Sequence, residues 1–357
     1  MGTMTTTTLV RPRSRTLVSR HVDGWLVGWF AVAIWVVLRL AEQNGTRVAP
    51  LNDALSWTGL TISALHFGLS YHLAYADPRG AMRQRPVALL IAPIVLAVTL
   101  ATLTTIAVIS GANSTRALTS WLVTSVFMLT MWHYVKQAYG IARLGATYAG
   151  ISLAPREVRI LRYGLYPLWA MSVVKLFTRG QRFSFARYRI GGQIFSPTVF
   201  SITRVIAFAC AVPIVITWIG IARRSSKPPT ALMVAPYVAG FLWLGMPVGY
   251  ASVGALLGAF HAIQYLACAS RAEVVTSVGN YGRVTASRWL EVVGGAACGG
   301  LLLTTWAPGT LQNLMVGATR NPLLFSAAFF VFLNLHHYLV DGVIWRTRGD
   351  LIRAMVA

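Results

Sequence analysis

Residues 321–345 read NPLLFSAAFFVFLNLHHYLVDGVIW, and this stretch decides the fold class. It is longer than the roughly 20 apolar residues that a helix needs to cross a bilayer. Its only side chains that carry charge near neutral pH are two adjacent histidines and one aspartate: His336, His337 and Asp341. Ionisable groups within a membrane span are costly and usually serve a function. The segment therefore predicts a transmembrane helix that carries part of a functional site.

Composition extends this prediction to the whole chain. The 357 residues are 56% hydrophobic and only 11% charged. Only helices and closed barrels satisfy the backbone in hydrocarbon, and the long apolar runs lack the two-residue alternation of barrel strands. We predict an all-α, polytopic transmembrane helix bundle with both termini in the cytoplasm. The ten predicted spans are 24–41, 54–76, 87–110, 117–141, 160–178, 197–221, 230–248, 251–269, 288–306 and 322–345.

The basic residues set this orientation, because cytoplasmic flanks retain positive charge. Most of the 31 lysines and arginines then lie in cytoplasmic segments. The basic and aromatic loop Lys175–Arg189 falls on the external side instead, so the region 160–196 fits this topology least well. We divide the chain into a basic cytoplasmic leader (1–23), a single transmembrane helical domain (24–346) and a short cytoplasmic tail (347–357).

The net charge of +22 is spread over many short loops. This distribution is typical of membrane topology, so we expect a lipid bilayer as partner and no nucleic acid. Arginine far outnumbers lysine and alanine is frequent, which indicates a GC-rich genome and a bacterial inner (plasma) membrane. The leader shows no cleavable signal peptide.

Six of the seven histidines lie on four predicted spans: His66, His72, His133, His261, His336 and His337. In the predicted topology these four spans all run from outside to inside. His133, His261 and His336 each precede an arginine by ten residues, which is about 15 Å along a helix. His66 and His72 lie on either side of this layer. We therefore expect the six imidazoles to converge in the cytoplasmic half of the bundle.

A single intramembrane histidine is usually a hydrogen-bonded packing residue, but six at one depth favour a shared metal site. Neutral imidazole suits iron, copper, zinc and nickel, and six nitrogens can hold one ion or two. Asp341, four residues after His337, is predicted as a further ligand or as the acceptor that orients His337. The alternative is a helix-end aspartate paired with Arg346.

Other metal sites fit the sequence less well. It contains no H-E-x-x-H motif of a zinc protease, and its glutamates after Glu42 lie at predicted helix ends, not in a carboxylate-bridged di-iron pattern. Cys210, Cys268 and Cys298 lie singly within spans, so they are predicted as core residues. Bis-histidine haem stays open as an alternative.

Polar residues near the histidines are candidate catalytic groups: Lys136, Gln137, Gln264 and Tyr265. Each lies within about one helical turn of a histidine, so its side chain is expected to orient an imidazole or bind the polar end of a substrate. The alternative for Lys136 is a lysine that extends to the membrane surface.

Histidines gathered on the cytoplasmic side of a helical membrane protein, with an HH pair at 336 and 337, resemble those of the histidine-rich membrane oxygenases. These are the fatty acid desaturases and hydroxylases and, more loosely, the carotene-cleaving membrane dioxygenases. The likeness covers the ligand set only. This chain has H-x5-H at 66 and 72 where the desaturases have H-x(3,4)-H, and it lacks the histidine-glycine motif of the carotene-cleaving group. The resemblance implies non-haem iron, dioxygen and a hydrophobic substrate.

Two classes of function follow. The first is a membrane oxidoreductase in which iron uses dioxygen on a hydrophobic or lipid-like small molecule. We expect one or two iron ions per chain, with a di-iron pair as the leading expectation. A separate reductase would supply electrons, because no nucleotide or flavin motif is visible. The second is a transporter or proton or metal relay, which predicts discontinuous helices and pseudo-symmetric halves. A haem electron-transfer protein is the third alternative.

Overall fold

The computed structural model describes residues 16–45, 52–75, 82–180, 183–185, 188–246, 253–281, 285–315, 323–345 and four single positions, 317, 321, 352 and 355. Within these ranges the chain is helical apart from a two-stranded antiparallel hairpin. The predicted all-α class is thus confirmed in its main feature. The hairpin falls within the basic, aromatic loop that did not fit the predicted topology.

The elements are numbered in chain order. The helices are α1 (Arg20–Gly24), α2 (Phe30–Gln43), α3 (Asn52–Tyr75), α4 (Ala92–Ile109), α5 (Ala112–Tyr148), α6 (Pro155–Tyr163), α7 (Tyr166–Leu176), α8 (Pro197–Ala209), α9 (Ala211–Ser225), α10 (Ala231–Gly240), α11 (Val253–Tyr281), α12 (Ala286–Leu301), α13 (Ala307–Leu314) and α14 (Leu324–Ile344). The strands are β1 (Phe183–Phe185) and β2 (Tyr188–Ile190). Short π-helical segments are Trp25–Trp29, Val87–Ile91, Phe241–Gly245 and Leu302–Trp306.

Five helical segments in the described part of the chain are long and apolar enough to cross a membrane: His21–Gln43, Val87–Ile109, Pro197–Ser225, Ala286–Leu314 and Leu324–Ile344. In the first four of these segments many apolar side chains face outward, as lipid-facing side chains do, whereas Leu324–Ile344 is mostly buried within the bundle. These helices mark the chain as a membrane protein. The remaining predicted spans are also largely helical, but α3, α5 and α11 carry histidines and other polar residues that lower their mean hydropathy.

The predicted span 160–178 is not one continuous helix. It is divided at Gly164, where α6 ends and α7 begins. With 11 residues, α7 is about 16 Å long, roughly half the thickness of the hydrocarbon core. Helix α7 alone is therefore too short to cross the membrane. The break arises because Pro167 in the first turn of α7 favours a helix start rather than a continuation.

Helices α3 and α12 approach each other very closely. A Cβ atom added at Gly68 would lie 1.9 Å from the carbonyl oxygen of Ala296, and one added at Gly300 would lie 1.8 Å from that of Ala64. Each helix thus presents two small residues four positions apart, the pattern that allows helix backbones to pack at short distance in membranes. This contact fixes α3, which carries His66, beside its neighbour.

Buried amides hold the start of α14. The Oε1 atom of Gln312 accepts hydrogen bonds from the backbone N–H groups of Phe325 and Ser326, at 3.0 and 3.3 Å. Asn321 donates to the carbonyl oxygen of Thr115, at 3.0 Å, and so ties the segment before α14 to α5. These bonds satisfy donors that a helix start leaves unpaired.

The two ends of the described chain pack together. Leu17 and Met355 are both buried in one hydrophobic cluster, which also contains Tyr148 at the end of α5. The carboxylate of Asp23 accepts the backbone N–H groups of residues 17, 18 and 19, at 2.8 to 3.1 Å, and so fixes the segment before α1. Part of the predicted leader is thus built into the bundle.

Candidate metal centre

Four helices each contribute one buried imidazole to a closed ring. The members are His66 on α3, His133 on α5, His261 on α11 and His337 on α14. Around the ring, neighbouring imidazole centroids are 4.5 Å (66 to 337), 5.5 Å (337 to 133), 4.8 Å (133 to 261) and 5.0 Å (261 to 66) apart. The sequence predicted that six imidazoles converge in one zone of the bundle, and the structure brings these four together in one ring.

Two groups of side chains in this ring could hold a metal ion. One consists of His66, His261 and His337, and the other of His133, His337 and Asp341. All of these residues are buried. Imidazole nitrogen with a carboxylate oxygen is a donor set that suits divalent transition metals.

Each imidazole of the ring has one buried nitrogen that makes no hydrogen bond within the described part of the chain. These atoms are Nδ1 of His66, His261 and His337, and Nε2 of His133. A buried polar atom without a partner costs about 1–3 kcal/mol. On His133 this atom is Nε2, which lies 3.3 Å from the Asp341 carboxylate and could bind a cation. On His66 and His337 it is Nδ1, whereas their Nε2 atoms lie 2.9 Å apart, so a cation bound by Nε2 would leave Nδ1 unpaired. The ring as a whole could hold a metal ion.

The closest pair in the ring is His66 and His337, whose Nε2 atoms are 2.9 Å apart. This separation fits a hydrogen bond between two neutral imidazoles. It equally fits two neighbouring ligands of one ion, because nitrogens about 2.1 Å from a metal and at right angles to each other lie about 3.0 Å apart.

An aromatic ring packs against every imidazole of the ring. Tyr265 lies 4.1 Å from His66, Tyr338 lies 4.5 Å from His133, Tyr134 lies 4.4 Å from His261 and Phe67 lies 4.7 Å from His337, measured between ring centroids. These contacts restrict imidazole rotation and keep water out. A rigid and dry surrounding is what a preorganised metal site needs.

The carboxylate of Asp341 lies between two of the imidazoles. Its Oδ2 atom is 3.3 Å from Nε2 of His133 and 3.4 Å from Nε2 of His337, and the hydroxyl of Ser70 lies 3.4 Å from Oδ1. The side chain is buried. Arg346, the partner in the alternative interpretation, lies outside the described residues.

Exchanging Asp341 for asparagine should weaken metal binding by about 10- to 100-fold, the usual cost of losing a carboxylate that binds or orients a ligand. Asparagine keeps the volume and removes the charge, so packing should change little. Metal affinity measured by competition with a chelator of known strength would give this number. Glu291→Gln is the control, because this carboxylate is 69% exposed and should leave affinity unchanged. Equal affinity in Asp341→Asn and wild type would remove Asp341 from the site.

Two of the six predicted ligands lie outside both groups. His72 faces Glu273, with Nε2 3.3 Å from Oε2, and His336 faces Tyr71, whose hydroxyl is 2.9 Å from Nδ1. Helix geometry explains both positions. Successive residues of a helix are rotated by about 100°, so His336 points away from His337, and His72 lies about 240° around and 9 Å along from His66.

The predicted catalytic residues separate into different roles. Tyr265 borders the ring against His66, as reported above. Gln137 instead donates to the carbonyl oxygen of His261 at 2.9 Å and to the Gln264 side chain at 3.0 Å. Gln264 donates in turn to the carbonyl oxygen of Val27 at 2.6 Å, so this pair braces helices. The ammonium of Lys136 lies 4.1 Å from the Trp132 ring centroid, not at the imidazole ring.

The sequence did contain a signal for the aromatic surround. Three ring histidines are each followed by an aromatic residue, in the pairs His66–Phe67, His133–Tyr134 and His337–Tyr338. Each of these aromatic residues packs on a histidine of a different helix. The repeated histidine–aromatic pair is therefore the sequence signal of this surround.

No protein-family model matches this chain, and no curated protein or solved structure matches it either. The residues and geometry of the site are therefore the basis for its function.

Proposed function

We propose that this protein is a membrane-bound non-haem iron oxidase or oxygenase that acts with dioxygen on a hydrophobic or lipid-like substrate. The reaction classes that fit are desaturation, hydroxylation, oxidative cleavage of carbon, and oxidation at nitrogen. Iron would be held by the ring of four histidines with Asp341. The observation that carries the proposal is this closed, buried ring of four imidazoles, with the Asp341 carboxylate against two of them. Iron supplies the redox chemistry when bound, and a separate reductase supplies electrons.

The geometry favours one metal ion over the predicted di-iron pair. Both candidate groups include His337. Its Nε2 atom lies 2.9 Å from Nε2 of His66 and 3.4 Å from Oδ2 of Asp341, so the two groups converge on the same nitrogen. One imidazole nitrogen has one lone pair and binds one ion. Four imidazoles and a carboxylate then form a single donor set.

The alternatives find less support. A porphyrin is wider than the gaps between these imidazoles, whose centroids are 4.5 to 5.5 Å apart around the ring, so bis-histidine haem would require the helices to separate.

Transport sites are typically built from interrupted helices. Each ring histidine lies instead within a continuous α-helix, α3, α5, α11 or α14.

The membrane arrangement belongs to the same proposal. We infer an even number of crossings, near the ten predicted, with both termini in the cytoplasm of a bacterium and the metal centre toward that side. The burial of Leu17 and Met355 in one hydrophobic cluster supports termini on one side. The division at Gly164 requires that α6 and α7 cross together or lie at the membrane surface.

Elemental analysis of detergent-purified protein, paired with its visible spectrum, tests the proposal first. We expect about one iron per chain and no Soret band, and removal by a chelator should be reversible with ferrous iron. Zinc or nickel at full occupancy under aerobic and anaerobic growth alike would contradict the redox function. A Soret band would establish haem. Protein that binds none of these metals would favour the transporter hypothesis over the oxygenase.

A further inference from the structure

A small, partly open apolar pocket lies beside His261. It has a volume of about 40 Å³. Its walls are mainly apolar and include Ala138, Leu168, Ala239, Gly240 and Trp243, and His261 also lines it. We call this space the His261 chamber.

The size of the chamber limits what enters it. About 10–15 Å³ is enough for one water-sized sphere, whereas an engineered cavity of about 150 Å³ binds benzene. A volume of about 40 Å³ therefore accepts a diatomic molecule or a single xenon atom and is too small for a lipid-like substrate.

The chemistry of the walls disfavours water. Ordered water in a protein interior usually makes about three hydrogen bonds. Gln264, the amide at the edge of the chamber, is already bonded at both ends, since its oxygen accepts from Gln137 at 3.0 Å and its nitrogen donates to Val27 at 2.6 Å. The other polar side chains of the wall are His261 and Tyr134, fewer than the three partners that ordered water usually has, so an apolar occupant is favoured.

We propose that the His261 chamber binds dioxygen and holds it next to the metal centre. This inference rests on the proposed function for the choice of dioxygen, while the chamber's affinity for an apolar gas does not depend on it. A gas molecule there would lie against His261, a member of the imidazole ring, and against Tyr134, whose ring centroid is 4.4 Å from that of His261.

Xenon is the probe, because it fills small apolar cavities and carries no chemistry. The full-length protein would be labelled with 5-fluorotryptophan and its fluorine spectrum recorded under increasing xenon pressure. Trp243 lines the chamber, and Trp243→Phe assigns its resonance. Trp121 is 60% exposed and reports xenon dissolved in detergent. We expect a saturable shift at Trp243 and a linear one at Trp121.

Gly240→Leu is designed to fill the chamber. A Cβ atom at Gly240 would meet the described chain only at Leu168 Cδ2, 4.0 Å away, so a larger side chain can extend into the space. The saturable shift should be lost in this variant and kept in the control Gly220→Leu, where the added side chain is exposed. A saturable shift that persists in Gly240→Leu, or the absence of a saturable shift in wild type, would contradict gas binding in the chamber.

Metal content measured on the same samples separates the two proposals. Saturable xenon binding in protein that takes up no iron would overturn the oxygenase and the assignment to dioxygen. Protein with one iron per chain and no xenon response would overturn the chamber alone. Gly240→Leu should retain iron, since Gly240 lies on α10 and contributes no ligand.

Discussion

Replacing His337 with alanine is expected to abolish metal binding, from about one ion per chain to below about a tenth. His337 belongs to both groups of candidate ligands, so its loss breaks each of them. Loss of a residue that merely orients a ligand already costs 10- to 100-fold in affinity, and loss of a central ligand should cost more. Metal content of protein purified without chelators measures the effect directly.

The neighbouring histidine provides the control. His336→Ala should keep the metal, because His336 faces Tyr71 and Tyr75 and lies in neither group. The two substitutions remove the same atoms from adjacent positions of α14, so their effects on helix propensity and hydrophobicity match. A similar loss of metal in both variants would mean that the effect comes from the helix and not from the site.

This pair also shows how far the sequence predicts the site. Counting residues to the flanking arginines estimates depth along each helix, and depth correctly grouped His133 with His261. This count of residues contains no information on how each side chain is rotated about the helix axis. His336 and His337 are one residue apart and point about 100° from each other, and in the structure His337 is the one that faces the ring. The same limit explains why His72 contacts Glu273 and not His66.

For the fold, hydropathy predicted a membrane protein, and five helices of the structure are long and apolar enough to cross a membrane. It did not predict the break at Gly164, which separates the charged helix α6 from the apolar helix α7. Nor did it predict the close contact of α3 with α12, because glycine adds nothing to a hydropathy pattern while its missing Cβ decides how near two backbones come.

Gly300→Ala is expected to destabilise the bundle by about 3 kcal/mol, at the upper end of what an overpacked interior costs. The new Cβ atom would lie 1.8 Å from the Ala64 carbonyl oxygen, which is backbone and cannot rotate away. Helices α3 and α12 must therefore separate. The temperature at which detergent-solubilised protein loses its monodisperse peak would report the loss.

Gly299→Ala, one residue earlier, separates this packing effect from helix propensity. A Cβ atom there meets no described atom within 4 Å, so alanine should be neutral or slightly stabilising, as usual for glycine replaced within a helix.

The Gly300 variant should also bind metal more weakly, because Ala64 precedes His66 by two residues and both move with α3. Reduced stability with unchanged metal affinity would show that α3 can shift without displacing His66 from the ring. Weaker binding would show that the helix contact and the metal centre form one structural unit.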